Sequence, residues 1–494
     1  MSSSSSSPLL PRLVSSRIHH FLSASSQLGI SLQVLRFADL VEKHSNELAA
    51  LETWNNGSEA SKWKAKMEGN LQDLFFTIRH TVNDVNAATI VRRSEDIKRK
   101  SEIECRWVRD FDVELYRLRE KKTHPPMESM EATLSKAGFC VGVPCVQELA
   151  KQTLSKVPER YVRPEVDLQL ASKTLSSFSS SQQIPIIDMT RLLSPEFHAS
   201  ELHKLDYACK HWGFFQLTNH GVSTSLVENV KRGVEDFFNL PIEEKKKFGQ
   251  KEGDREGFGQ LFVVSEEQKL DWGDMFYCIT LPQEARKPHL FPKLSIPFRD
   301  NLDAYCEELR KLANKIIQLL FEALNMEAKE MAELLEGGRQ SVRMNYYPPC
   351  PEPDKVIGFN PHSDVGILTI LLQINEMEGL QIKNNGNWIH VNPLPNAFVI
   401  NLGDVFEILS NGIYQSVEHR ATVNSEKERM SMATFLGPKL DGILGPSLNL
   451  VTPERPAQFK RISVFDYFKG FFTQELRGKS HLDSIRIKDG TDHI

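Results

Sequence analysis

Four segments, NYYPPCP (345–351), FNPHSD (359–364), QSVEHR (415–420) and ERMSMATF (428–435), decide how this chain folds. Three pairs of polar residues sit in them at i and i+2: Asn345/Tyr347, His362/Asp364 and Arg429/Ser431, with His419 between the second pair and the third. On a β-strand, residues two apart point to the same face. The surrounding sequence reads as short strands, SVRMNYY, ILTILLQ, GLQIK, WIHV, AFVINLG, YQSVEHRAT and RMSMATFLG, broken by Gly, Pro and Asn. Strands of this kind at near-regular spacing predict a sandwich or barrel. With helices preceding them, the expected fold is mainly β with flanking helices, a double-stranded β-helix (jelly roll) core behind a helical N-terminal part.

The residue types at the centre of this stretch are those of a metal site. His362, Asp364 and His419 supply two imidazoles and a carboxylate, the facial triad that leaves half of an octahedral Fe(II) open for oxygen chemistry. The same three ligands would suit zinc with one open position, and hence a hydrolase. The HxD pair alone carries little weight, because the chain has a second one, His481-Leu482-Asp483; that one reads as surface. Arg429 and Ser431 join a bidentate guanidinium to a hydroxyl, a recognition pair for the far carboxylate of a dicarboxylate. The alternative for Arg429 is a salt-bridged barrel arginine.

The 494 residues are too many for one typical domain. A hydrophobic share of 40%, a charged share of 25% and a net charge of −5 describe an ordinary globular protein with no basic footprint for nucleic acid. Seven cysteines without a CxxC pair fit a reducing compartment, and no apolar run is long enough to predict a membrane span. Residues 1–38 are serine-rich, carry Arg12, Arg17 and Arg36, and have no acid before Asp39; they read as disordered and transit-peptide-like, or as plain low complexity. Residues 39–126 read as a helical extension without visible chemistry, beginning with an amphipathic helix over 36–57. Residues 130–300 form the helical N-terminal part, with short strands at 184–189 and 213–221, helices at 202–212 and 224–240, and an irregular stretch at 250–298. Residues 301–494 hold a long helix, expected over 300–335, and the jelly roll.

From about Met130 onward the chain resembles the plant 2-oxoglutarate- and Fe(II)-dependent dioxygenases of soluble specialised metabolism. The resemblance lies in WGFFQLTNHGV (212–222), NYYPPCP, PHSD, LTILLQ, GLQI, LPNAFVINLGD, NGIYQSVEHRATVN and ERMSMATF. VPERYVRPE and VNSEKER are most similar to the norcoclaurine synthase-like and senescence-related group, near the flavonol and anthocyanidin synthases. It implies that His362, Asp364 and His419 ligate iron, that Asn345 and Tyr347 touch 2-oxoglutarate, and that Arg429 and Ser431 hold its distal carboxylate. Phe435 matches an aromatic that packs on substrate, or else belongs to the core; Trp212 and His220 read as structural. The implied chemistry is decarboxylation of 2-oxoglutarate by O2, coupled to hydroxylation, desaturation or O-demethylation of a small aromatic metabolite such as a flavonoid or alkaloid, with ascorbate as reductant. Specificity is expected in 255–292 and in an apolar lid at 463–477. An ascorbate-dependent oxidase of the same fold, a zinc hydrolase and a non-catalytic jelly-roll binding module are the competing readings.

The expected partner is a small molecule, with no nucleic acid or membrane, and the expected state a monomer. Residues 36–57 also resemble a short piece of plant mitochondrial aldehyde dehydrogenases, too short to carry a cofactor site. Residues 1–126 therefore read as a fused or mispredicted gene segment. Cytoplasm is the expected location, or mitochondria if that segment is expressed.

Overall fold

The computed structural model describes residues 130, 133–134, 142–152, 154–164, 183–251 and 253–487. The expectations for 1–38 and 39–126, including the helix over 36–57, lie outside the described residues. The apolar run after Pro185 forms strand β1 (Ile186–Asp188), followed by helix α1 (His198–His211), β2 (Phe214–Thr218) and helix α2 (Thr224–Asn239), which stops before Pro241. β3 (Gly257–Gly259) and β4 (Asp274–Leu281) come next. They correct the irregular reading of 250–298 at those two strands, while most of the remaining stretch is loops, turns and short 3-10 helices. β4 is buried along its whole length, and a strand covered on both faces is a continuous apolar run without alternation to mark it.

Helix α3 (Ile296–Ala323) starts with proline in its first turn, where no N–H is needed. The single helix expected over 300–335 is two: α3 ends at Ala323 with Leu324 as its cap, Asn325 takes the left-handed conformation (φ 52°), and α4 (Ala328–Leu335) starts afresh. Asparagine tolerates that conformation at a helix end, and the continuous apolar period hid it.

The remaining strands are β5 (Arg339–Tyr347), β6 (Phe359–His362), β7 (Leu368–Gln373), β8 (Leu380–Asn384), β9 (Asn387–His390), β10 (Phe398–Leu402), β11 (His419–Ala421), β12 (Arg429–Gly437), β13 (Ile443–Leu444) and β14 (Ile462–Ser463). Helix α5 (Asp404–Leu409) follows β10, and α6 (Val464–Phe472) follows β14. The large sheet runs β1-β2-β10-β7-β12-β5-β4-β3 and the small one β6-β11-β8-β9, with β13 and β14 paired apart. β1 and β2 are parallel; the other pairings are antiparallel. Two sheets with helices outside is the jelly roll the sequence predicts.

The pleat of the large sheet divides its side chains by function. Val342, Met344, Ile370, Leu372, Ile400 and Met432 join Leu302, Tyr305, Leu309 and Ile316 of α3 in one apolar core. The alternate residues, among them Arg343, Asn345 and Tyr347 on β5 and Arg429, Ser431 and Phe435 on β12, occupy the opposite face. Among the described residues no helix is long and apolar enough to cross a membrane.

Candidate active site

His362 closes β6 and His419 opens β11, and the register places them directly across from each other. β11 is shorter than the strand expected at 414–422. The two rings lie 4.2 Å apart. Each Nδ1 faces a backbone carbonyl, that of Asn360 at 2.7 Å and that of Val417 at 3.1 Å. A proton on Nδ1 satisfies that carbonyl and leaves Nε2 with its lone pair free, the tautomer a metal ligand needs.

Asp364 lies in the turn after β6. Its Oδ2 accepts from Thr369 Oγ1 at 2.6 Å and Asn401 Nδ2 at 2.8 Å. Its Oδ1 is 3.6 Å from His362 Nε2 and 3.8 Å from His419 Nε2. One ligand atom from each of the three residues falls within 4.8 Å of the others, and among the described residues this is where such a cluster forms. Burial by itself would raise the Asp364 pKa, but the two histidines and the Asn401 amide outweigh it and hold the carboxyl below its usual range. Burial, reinforced by His362, lowers the His419 pKa to about 4. A divalent cation requires an ionised carboxylate and imidazoles that offer a free Nε2 lone pair. The turn is fixed from behind, since Asp404 N donates to the Asp364 carbonyl at 2.7 Å. A Cβ on Gly403 would lie 2.1 Å from the Gly366 carbonyl.

Across β5 and β12, Asn345 pairs with Ser431 and Tyr347 with Arg429. Arg429 is 2% exposed. Its Nη2 donates to Gln373 Oε1 at 3.1 Å, its Cζ lies 5.4 Å from the Tyr347 ring centre, and its Nε has no partner. Among the described residues no carboxylate pairs with it, which removes the barrel salt-bridge alternative. A buried guanidinium with an unpaired donor beside a serine hydroxyl fits an incoming carboxylate. Asn345 Nδ2 is 3.4 Å from Ser431 Oγ, and its Oδ1 accepts from Arg343 Nε at 2.7 Å.

Next to the triad, a cavity with about 830 Å³ of empty space, part of it open to solvent, is lined by His362, Asp364, Phe262, Phe435, Phe468 and Phe471, with other residues. Phe262 and Tyr277 come from the 255–292 stretch, and Phe468, Phe471 and Phe472 from α6, so both segments expected to set specificity reach the wall. Phe435 is half-buried; it packs beside Leu261, Met275 and Tyr277 and also borders the cavity.

His481 departs from the surface reading. It is half-buried, its ring 4.5 Å from that of Tyr467 and its Nε2 2.8 Å from the Tyr467 carbonyl. Gly470 makes room, because a Cβ there would lie 2.9 Å from the imidazole. His220 stacks on Phe398 at 4.2 Å, and Trp212 packs against the cluster around Phe214 and Ile382, both as structural residues. Sequence reasoning missed Thr369, Gln373 and Asn401. Their signal was a polar residue inside an otherwise apolar strand, which asks for a buried partner.

Residues 338–438 match the model of the 2OG-Fe(II) oxygenase superfamily, and residues 184–294 that of the N-terminal part of the non-haem dioxygenases in morphine synthesis. The chain is 54% identical over 352 residues to oxoglutarate-dependent flavonoid 7-O-demethylase 1 of Ocimum basilicum, covering 71% of this chain and 93% of that one. It is 52% identical over 363 residues to thebaine 6-O-demethylase of Papaver somniferum, covering 72% and 100%. The fold matches the crystal structure of JOX2 in complex with 2OG, Fe and JA at a TM-score of 0.63 and 34% identity, covering 71% of this chain and 100% of that one. The iron reading therefore prevails over the zinc hydrolase and the binding module: the chain belongs to the 2OG-Fe(II) oxygenase superfamily and is an oxidoreductase that uses Fe(II), 2-oxoglutarate and O2.

Proposed function

We propose that this enzyme removes a methyl group from an oxygenated aromatic metabolite by oxidising the methyl carbon. In this reading His362, Asp364 and His419 ligate the iron. Arg429 and Ser431 bind the distal carboxylate of 2-oxoglutarate, Asn345 and Tyr347 line its site, and Phe435 packs on substrate. Bound Fe(II) supplies O2 activation with decarboxylation of 2-oxoglutarate to succinate and CO2. The protein's part is position: Thr369 and Asn401 fix the carboxylate, the Nδ1 carbonyls fix the imidazoles, and the aromatic wall keeps water from the reacting carbon. The observation that carries the reading is the Asp364 carboxylate, whose one oxygen is saturated by two donors while the other faces two free Nε2 atoms. Demethylation is favoured over other oxidations by likeness to relatives named as a flavonoid 7-O-demethylase and a thebaine 6-O-demethylase.

The test is a screen of methoxylated flavonoids and alkaloids with Fe(II), ascorbate and 2-oxoglutarate, reading succinate and demethylated product. Absence of succinate under every condition would sink the 2-oxoglutarate assignment and favour the ascorbate-dependent oxidase. Ascorbate as reductant, a monomeric state and a cytoplasmic location complete the proposal. The relatives align over most of their own length with about 71% of this chain, which supports residues 130–494 as the catalytic unit and 1–126 as a fused segment. Abundant native peptides from upstream of residue 127 would contradict the latter and point to mitochondria.

A further inference from the structure

The cavity beside the triad carries charge of predominantly one sign. Arg255, Arg339 and Arg343 line it, while Asp364, turned to the histidines, is the carboxylate among its lining residues. Arg343 is engaged with Asn345 and lies over the Phe359 ring at 3.9 Å, and Arg339 also has partners in the protein.

Arg255 is different. It is 4% exposed, its Cζ lies 3.9 Å from the centre of the Phe472 ring, and its Nε and Nη1 have no hydrogen-bond partner. The acids on either side of it in sequence are committed elsewhere. Asp254 and Glu256 both pair with Lys287, Asp254 Oδ1 accepts from Glu256 N at 3.0 Å, and Glu256 Oε2 accepts from Ile279 N at 2.9 Å. A buried guanidinium always keeps its proton, and leaving its N–H groups unpaired away from water is costly. At the wall of a ligand cavity, that cost is recovered when a ligand supplies the acceptor.

We infer that Arg255 recognises an electron-rich oxygen, a phenolate or carboxylate, on the substrate's distal aromatic ring, and that the cavity selects against substrates carrying a protonated amine there. The inference rests on the proposed reaction centre at His362, Asp364 and His419, and it chooses between the substrate classes left open by the relatives. The ring enters among Phe262, Phe471 and Phe472, with the guanidinium over Phe472 and the ring's oxygen supplying the acceptor that its buried N–H groups lack. Such a hydrogen bond is charge-assisted and formed out of water, where it is strongest. An ammonium there enters a cavity lined by three guanidinium groups, in which Asp364 is the carboxylate among the lining residues.

The test uses three methoxyflavones that differ at one position of the distal ring: a free phenol, a carboxylate and a dimethylaminomethyl group. Affinities are measured by calorimetry on the full chain loaded with Fe(II) and 2-oxoglutarate under anaerobic conditions. Wild-type enzyme should bind the phenol or the carboxylate at least about tenfold more tightly than the amine, and the tighter of the two identifies the oxygen. Arg255→Met should erase that preference by weakening the oxygen-bearing probe, and Arg255→Lys should restore part of it. Equal or tighter binding of the amine by wild type, or equal weakening of all three probes by Arg255→Met, overturns the inference. If Arg255→Met does not fold, the wild-type ranking and the Arg255→Lys measurement decide. Wild-type enzyme that binds no 2-oxoglutarate refutes the proposed reaction centre instead.

Discussion

Asp364 has two chemically equivalent oxygens that the fold makes unequal. With Oδ2 bound by Thr369 and Asn401, rotation of the carboxylate is blocked and Oδ1 is the oxygen presented to a cation. Asn401→Ala should therefore weaken Fe(II) affinity about tenfold to a hundredfold, the range seen when a ligand loses its outer hydrogen bond. Anaerobic metal titration checks this, and unchanged affinity would remove the clamp from the account. Arg429→Ala should raise the KM for 2-oxoglutarate by far more than the KM for substrate, because the buried guanidinium gives one N–H to Gln373 and keeps its Nε unpaired; equal changes in both would contradict the anchoring role. The proposed ligands were legible in the sequence because paired ligand types at a strand period, joined to a distant histidine and an arginine–serine pair, rarely coincide. Thr369 and Asn401 were not, since a neutral polar side chain in a strand shows its purpose when its partner is in view. Arg255 was not legible either: it lies between two acids in sequence, and their pairing with Lys287 belongs to the fold.

At the scale of elements, the approach of β8 to β12 is set by one missing side chain. A Cβ on Gly379, just before β8, would lie 2.7 Å from the Thr422 carbonyl and 2.8 Å from Arg429 Cδ. Gly379→Val should push the arginine stem out of line, raising the KM for 2-oxoglutarate while metal affinity, assigned to His362, Asp364 and His419 in the proposal, changes little. Paired titrations of metal and 2-oxoglutarate would separate the two effects, and a parallel loss of both would mean that the small sheet itself had shifted. Elements with a strong period or a clear stop, such as α2 and β12, were legible. β4 was not, because it is covered on both faces, and neither was the division of α3 from α4, which rests on one asparagine.

On the scale of the whole molecule, the C-terminal segment holds the proposed metal site from outside. Gly478 N donates to the Pro361 carbonyl at 3.0 Å, beside His362. The same segment is tied to α5 through Glu407, which is 2% exposed and receives Lys479 Nζ at 2.6 Å, Ser416 N at 2.7 Å and the Arg486 guanidinium. Breaking a buried ion pair by removing one partner costs about 3–5 kcal/mol. Lys479 and Arg486 keep 22% and 35% of their side-chain surface exposed, which puts the expected loss for Glu407→Ala nearer 2 kcal/mol. The variant should melt several degrees lower and bind Fe(II) more weakly, although Glu407 touches no proposed ligand. Calorimetric melting and metal titration of one preparation test both, and a lower melting point with unaltered metal binding would make the tie purely structural.

The face-sorting of β5 and β12 has a consequence for how such an enzyme can diversify. Asn345, Tyr347, Arg429, Ser431 and Phe435 share one face, and Met344, Tyr346, Met430, Met432 and Leu436 share the other. Replacing one cavity residue leaves the rest in place, so new substrates can be reached by point substitution. Inserting or deleting one residue within either strand would exchange the two sets beyond that point and send methionines to the face that carries Arg429 and Ser431. Variation in length is thus confined to the loops, and the chemistry is inherited as a reading frame of the strand.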